Sequence, residues 1–172
     1  MDNTSLDYTD TWVIIPCFNE GAVIGDVIRN VRHVFPNVVA VNDGSTDDSA
    51  AQIKAAGAHL VNHPVNLGQG AALQTGVEYA RSQPGSRYFV TFDADGQHQV
   101  KDVVEMLDRL RTGDLDIVVG TRFGRPRPTD DQGPLLKRIV LKTVVFLSPK
   151  TRRLGLTDAH HGLRTFNRKV AD

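Results

Sequence analysis

Tyr88-Phe89-Val90-Thr91-Phe92-Asp93-Ala94-Asp95-Gly96-Gln97-His98 is an apolar, β-prone run that ends in two carboxylates and a turn. It reads as a strand over Tyr88–Asp93, followed by a helix over Val100–Arg111 in which Val103, Val104, Leu107 and Leu110 recur at helical spacing and form one apolar stripe. The same alternation extends outward from it. Trp12–Pro16, Val38–Asn42, His59–Asn62 and Ile117–Thr121 read as strands, and Ala22–Val34, Asp47–Ala56 and Gly70–Arg81 as helices. Strand–helix alternation of this kind predicts an α/β fold, with a mostly parallel central sheet flanked by helices and right-handed crossovers. In such sheets ligands bind beyond the carboxyl ends of the strands. The residues following the strands therefore become the candidates: Asn19-Glu20, Asp43-Gly44-Ser45, Asn66 to Gly70, Asp93-Ala94-Asp95 and Arg122.

Composition narrows the class. With 172 residues and 40% hydrophobic content, the chain suits a single domain with its own core. Lys plus Arg and Asp plus Glu balance at 20 each, which gives no sign of a nucleic-acid partner. One cysteine, Cys17, excludes an internal disulfide framework and fits a reducing, cytoplasmic compartment. Residues Met1 to Asp10 lack the basic start and apolar run of a signal peptide, and no stretch approaches the roughly 18 apolar residues of a membrane span. The chain ends at Asp172 soon after an apparent helix start, and the expectation is that the natural protein continues beyond it.

The character changes after Thr121. Arg125-Pro126-Arg127-Pro128 predicts a loop. Leu135–Leu147 then fits an amphipathic helix, with Leu136, Ile139, Val140, Val144 and Leu147 on one face. Nine basic residues (Arg122, Arg125, Arg127, Lys137, Arg138, Lys142, Lys150, Arg152, Arg153) face only Asp130 and Asp131 over this region. Such a helix can lie on an anionic membrane surface; the alternative is an ordinary core-facing helix with solvated charges.

Taken singly, the motifs each have a bland reading. Asp93 and Asp95 supply the hard oxygen ligands that Mg²⁺ or Mn²⁺ takes together with phosphate oxygens, provided the strand has ended so that both can engage one ion. Equally, Asp95 could cap the following helix. Ser45, Thr46 and Asp47 read first as helix caps, whereas Asp43 could accept a nucleobase N–H. Gly68 and Gly70 invite a phosphate cradle at a helix start, although close helix–sheet packing explains small residues equally well.

In order along the chain, Val13-Ile14-Ile15-Pro16-Cys17-Phe18-Asn19-Glu20, Val41-Asn42-Asp43-Gly44-Ser45-Thr46-Asp47, Asn66-Leu67-Gly68-Gln69-Gly70-Ala71-Ala72, Asp93-Ala94-Asp95-Gly96-Gln97-His98 and Gly120-Thr121-Arg122-Phe123 resemble the inverting GT-A glycosyltransferases of family 2. Within that family the chain is most similar to the polyprenyl-phosphate (dolichyl-phosphate) mannose and glucose synthases. The resemblance implies a GT-A nucleotide-sugar-binding fold and a divalent cation, Mg²⁺ or Mn²⁺. It implies a donor of the GDP-mannose or UDP-glucose type and a lipid-phosphate acceptor reached by peripheral contact at the cytoplasmic face of the membrane. By the same resemblance, Pro16, Asn19, Glu20, Asp43, Gly68, Gly70, Asp93, Ala94 and Asp95 bind the nucleotide-sugar, and Asp93, Asp95 and Gln97 hold the metal. Arg122 and Arg138 meet phosphate oxygens, with Arg122 and Asp158 counted as catalytic. Asn42 stands where many relatives have Asp, and Gln69 where many have Lys or Arg. His161 and Leu163 depart from the usual small residue and Phe after the acidic position; packing or loop roles suit His160 and His161 better than a metal pair. The rival readings are transfer to a glycan hydroxyl in cell-envelope polysaccharide synthesis, a non-catalytic nucleotide-sugar-binding module and, more distantly, a nucleotidyltransferase.

Overall fold

A computed structural model describes residues 7–120 and 163–172. In chain order the elements are β1 (Thr11–Cys17), α1 (Gly21–Arg32), β2 (Asn37–Asp43), α2 (Ser49–Ala55), β3 (His59–His63), α3 (Gln69–Arg81), β4 (Tyr88–Thr91), α4 (Val100–Thr112), β5 (Ile117–Val119), β6 (Arg164–Asn167) and a final turn of helix, α5 (Arg168–Ala171). The strands form one sheet in the order β3-β2-β1-β4-β6-β5. β1 pairs in parallel with β2 and β4, and β2 with β3, so the carboxyl ends of β1 to β4 share one edge. The chain winds from β1 outward to β3, and α3 then returns it to the other side of β1. A topological switch point therefore falls between β1 and β4, the place where open α/β sheets bind ligands.

The pleat of β1 explains the two-sided core. Val13, Ile15 and Cys17 pack on one face with Ile24, Ile28 and Val31 of α1, Ile53 of α2 and Leu107 of α4. Trp12 and Ile14 point to the other, with Val39 and Phe89. Successive side chains alternate faces, and here both faces are covered, so the strand reads as a continuous apolar run. On α3 the buried residues are Ala72, Gly76 and Ala80, four apart on one face. The smallest sits where the helix comes nearest: a Cβ on Gly76 would run into Ile14 Cγ2 and lie 3.3 Å from Val41 Cγ2.

Within the described residues the expected elements are present, with three adjustments. β4 stops at Thr91, before the expected Asp93, and β5 stops at Val119. The stripe of α4 consists of Val103, Met106, Leu107 and Leu110, while Val104 is only partly buried at its margin. β6 was not foreseen. It runs antiparallel to β4, with Tyr88 opposite Asn167 and Phe89 opposite Phe166, whose rings stack at 5.6 Å. Leu163, just before it, is buried in the core, so its departure from the family pattern is accommodated by packing.

Candidate nucleotide-sugar site

The loop after β1 is held by side chains from the loop after β2. Asn19 adopts a left-handed backbone, φ 55°, a conformation Asn tolerates better than most residues. Its amide donates to Ser45 Oγ at 2.9 Å, and its Oδ1 accepts from the Thr46 amide at 2.9 Å. The Glu20 amide donates to Ser49 Oγ at 3.0 Å, and the Gly21 amide to Asp47 Oδ2 at 2.9 Å. Asp47 Oδ1 accepts from the Ser49 amide at 3.0 Å. One carboxylate thus satisfies the exposed first amides of both α1 and α2, neither of which has a side-chain cap from its own N-cap residue. The Ser49 hydroxyl, then the Gly21 and Ser49 amides, hold the Asp47 carboxyl below the usual range. Asp47 therefore has the capping role anticipated for this stretch.

Unlike the exposed Asp47, Asp43 is buried, 3% exposed at the end of β2. Its Oδ1 lies 2.7 Å from His63 Nδ1 and accepts from the Leu67 amide at 2.9 Å, while Oδ2 accepts from the Gly68 amide at 2.8 Å. Burial pushes its acidity down, but the Leu67 amide, His63 and the Gly68 amide outweigh it, so the carboxyl titrates below the usual range and stays ionised at neutral pH. The far side of the His63 ring meets Thr75 Oγ1 at 2.9 Å. Asn42 reaches sideways, its Nδ2 donating to Asn62 Oδ1 at 3.0 Å and its Oδ1 accepting from the Ser45 amide at 3.2 Å.

Gly68, φ 91°, occupies a backbone region closed to most side chains. Among the described residues, a Cβ at Gly68 or Gly70 would meet nothing within 4 Å, so no packing against them explains either glycine; Gly76 is the glycine of this helix that packs closely on the sheet. From the start of α3, Gln69 Nε2 donates to Asp93 Oδ1 at 3.3 Å. Asp93 Oδ2 is 2.8 Å from Nε2 of His98, a buried ring set edge-on to Phe92 at 5.4 Å. Asp93 and Asp95 both lie beyond the end of β4, which meets the condition for engaging one ion. Asp95 is exposed and its Oδ1 accepts from the Gln97 amide at 3.0 Å, so it shapes its own turn; Gln99, the residue before α4, gives the helix no side-chain cap. Ala94 is buried, Gln97 exposed and Pro16 half-buried in β1.

The four loops thus form a linked rim: 19–21 to 45–49, Asp43 to 67–68, and Gln69 to Asp93. Among the described residues no group of three or more His, Cys, Asp or Glu side chains is assembled to hold a metal. The two carboxylates just past β4, Asp93 and Asp95, are nonetheless of the kind that suits Mg²⁺ or Mn²⁺, which keeps open positions for phosphate oxygens and water. Arg122, Arg138 and Asp158, His160 and His161, the loop expected over 125–128 and the helix expected over 135–147 lie outside the described residues. Sequence reasoning missed His63, Thr75 and Ser49; the position of His63, one residue past the expected end of β3, was the available signal.

Residues 12–172 match the family described as Glycosyl transferase family 2. The chain belongs to this family. It is 29% identical to the UDP-N-acetylglucosamine–dolichyl-phosphate N-acetylglucosaminyltransferase of Methanococcus voltae, over 92% of this chain and 70% of that protein. It is 29% identical to the polyprenol monophosphomannose synthase of Mycolicibacterium smegmatis, over 94% of this chain and 63% of that one. Among solved structures, glucosyl-3-phosphoglycerate synthase from Mycobacterium tuberculosis, in complex with Mn²⁺, UDP and glucosyl-3-phosphoglycerate, superposes with a TM-score of 0.71 at 22% identity, over 94% of this chain and 58% of that one. That likeness establishes the GT-A fold. The chain spans only 58% to 70% of the length of these three proteins.

Proposed function

We propose that this family 2 chain is the donor-binding part of an inverting, metal-dependent glycosyltransferase that moves a hexose-type sugar from a nucleotide-sugar to a polyprenyl phosphate. The observation that carries the reading is the pair Asp93 and Asp95, placed just past β4 at the switch point and tied through Gln69 to the glycine-framed start of α3. The donor diphosphate lies between that pair and the open Gly68–Gly70 turn. Asp93, Asp95 and Gln97 hold Mg²⁺ or Mn²⁺, which when bound neutralises charge developing on the leaving diphosphate. Pro16, Asn19, Glu20 and Asp43 surround the nucleoside, and Ala94 lies against the donor. Arg122 and Arg138 hold phosphate oxygens, for which a planar guanidinium is well shaped.

The acceptor oxygen attacks the sugar C1 from the face opposite the nucleoside diphosphate, so the configuration inverts. A polyprenyl phosphate is already anionic and requires no strong base, whereas a sugar hydroxyl does, and Asp158 would then be that base. Two of the matched relatives are named for dolichyl phosphate or polyprenol, which favours the lipid phosphate. No helix among the described residues is long and apolar enough to cross a membrane. The deciding experiment is transfer of radiolabelled sugar by the full-length protein to polyprenyl phosphate and to glycan hydroxyls, with Asp158→Asn alongside. Product on the lipid phosphate with a mild effect of Asp158→Asn supports the reading. Product on hydroxyls alone, with a loss of roughly 10²–10⁴-fold in the variant, replaces it by the hydroxyl acceptor.

A further inference from the structure

An ionised carboxylate offers about four acceptor positions, and in Asp43 most are already filled. Oδ1 faces two donors, His63 Nδ1 and the Leu67 amide, while Oδ2 faces one, the Gly68 amide. Because the carboxylate can only accept, His63 Nδ1 is the donor of that pair. The ring cannot swing away without giving up Thr75 on its other side, and the pair is almost wholly withdrawn from water, with side chains 8% and 4% exposed. Asp43 is therefore left with a single acceptor position, on Oδ2.

Nucleobases differ on this point. Uracil presents one ring N–H between two carbonyls. Guanine presents a ring N–H and an amino N–H side by side, a pair that engages a carboxylate through both oxygens. We propose that His63, braced by Thr75, is a specificity-determining residue that saturates Oδ1 of Asp43 and so restricts the site to a base with one N–H donor, making the donor a uridine-type nucleotide-sugar. The inference rests on the nucleoside role given to Asp43 above. A guanine bound here would leave its second donor without an acceptor in a dry site, and such a mismatch is strongly disfavoured.

The test is calorimetric titration of the protein with UDP and with GDP in the presence of Mg²⁺, so that the diphosphate is common and only the base differs. The native protein should prefer UDP by on the order of tenfold or more, the effect of one unmatched hydrogen bond. His63→Leu should bring the two affinities together, and His63→Asn, which keeps a donor near the Nδ1 position, should restore most of the preference. Equal or tighter binding of GDP by the native protein overturns the proposal. So does an unchanged ratio in His63→Leu that melts like the native protein; if that variant unfolds, Thr75→Val replaces it, and a ratio unchanged there counts equally against the proposal. Asp43→Ala separates the two levels. If it weakens both nucleotides while the His63 variants leave the ratio alone, only the selectivity fails; if it changes neither affinity, the nucleoside role of Asp43 falls as well.

Discussion

The Asp47 carboxylate accepts a hydrogen bond from the backbone amide of Gly21 at 2.9 Å, joining two loops that are 26 residues apart in sequence. Its second oxygen serves Ser49, so a single exposed side chain terminates two helices and fixes the spacing between the ends of β1 and β2. Asp47→Ala should lower the melting temperature and loosen both loops, seen as faster amide exchange at Gly21 and Ser49. If exchange at those two positions is unaffected, the shared cap is not maintained in solution.

The pH dependence follows from Asp43 and Asp47, both of which titrate below their usual range in the folded state. A carboxyl with a depressed folded value stabilises the protein above its unfolded value, and that contribution disappears as pH falls through the folded value. The urea midpoint should therefore be flat through neutrality and decline below about pH 4. Asp47→Asn should start lower and decline less. A midpoint that rises on acidification would contradict both assignments.

Gly76 is set against Ile14, a residue with no exposure and no room to retreat. Gly76→Val should destabilise the protein by about 1–3 kcal/mol through overpacking, read from urea unfolding. An unchanged midpoint would mean that α3 lies further from the sheet.

Gly70 behaves oppositely, since a methyl group there meets open space within the first turn of α3. Gly70→Ala should stabilise the fold by about 0.5–1 kcal/mol, the usual helical advantage of Ala over Gly. If a donor diphosphate approaches this turn, the same variant should bind nucleotide-sugar more weakly. Stabilisation with undiminished donor affinity would move the diphosphate elsewhere.

Asp95→Ala should leave the melting temperature nearly unchanged, because the residue is exposed and caps no helix. Its effect should fall on the Mg²⁺- or Mn²⁺-dependent part of nucleotide-sugar affinity, measured calorimetrically with and without EDTA. Metal-dependent affinity equal to that of the native protein would remove Asp95 from the cation site.

Periodicity exposed the winding of the sheet because β1, β2 and β4 are buried on both faces and read as unbroken apolar runs. The rule that ligands gather at the carboxyl edge then singled out Asn19, Asp43, Gly68 and Asp93 without reference to side-chain contacts. What stayed hidden depends on pairs distant in sequence: His63 with Thr75, Ser49 with Glu20, Gln69 with Asp93. No local pattern encodes those, since each is created by crossovers that bring separate elements side by side. β6 escaped for a related reason. Arg164-Thr165-Phe166-Asn167 is too short to show alternation, and it becomes a strand only because the edge of β4 is there to receive it.

That late pairing has a consequence for biosynthesis. Tyr88 waits for Asn167, 79 positions further along the chain, before the outer edge of β4 is closed. Until then Tyr88–Thr91, which carries the apolar Phe89 and Val90, presents unpaired backbone groups, a template for association with other nascent chains. A fragment ending before Leu163 would lack this partner strand and should be more prone to aggregate, even though it retains Asp93, Asp95 and the loops of the donor rim.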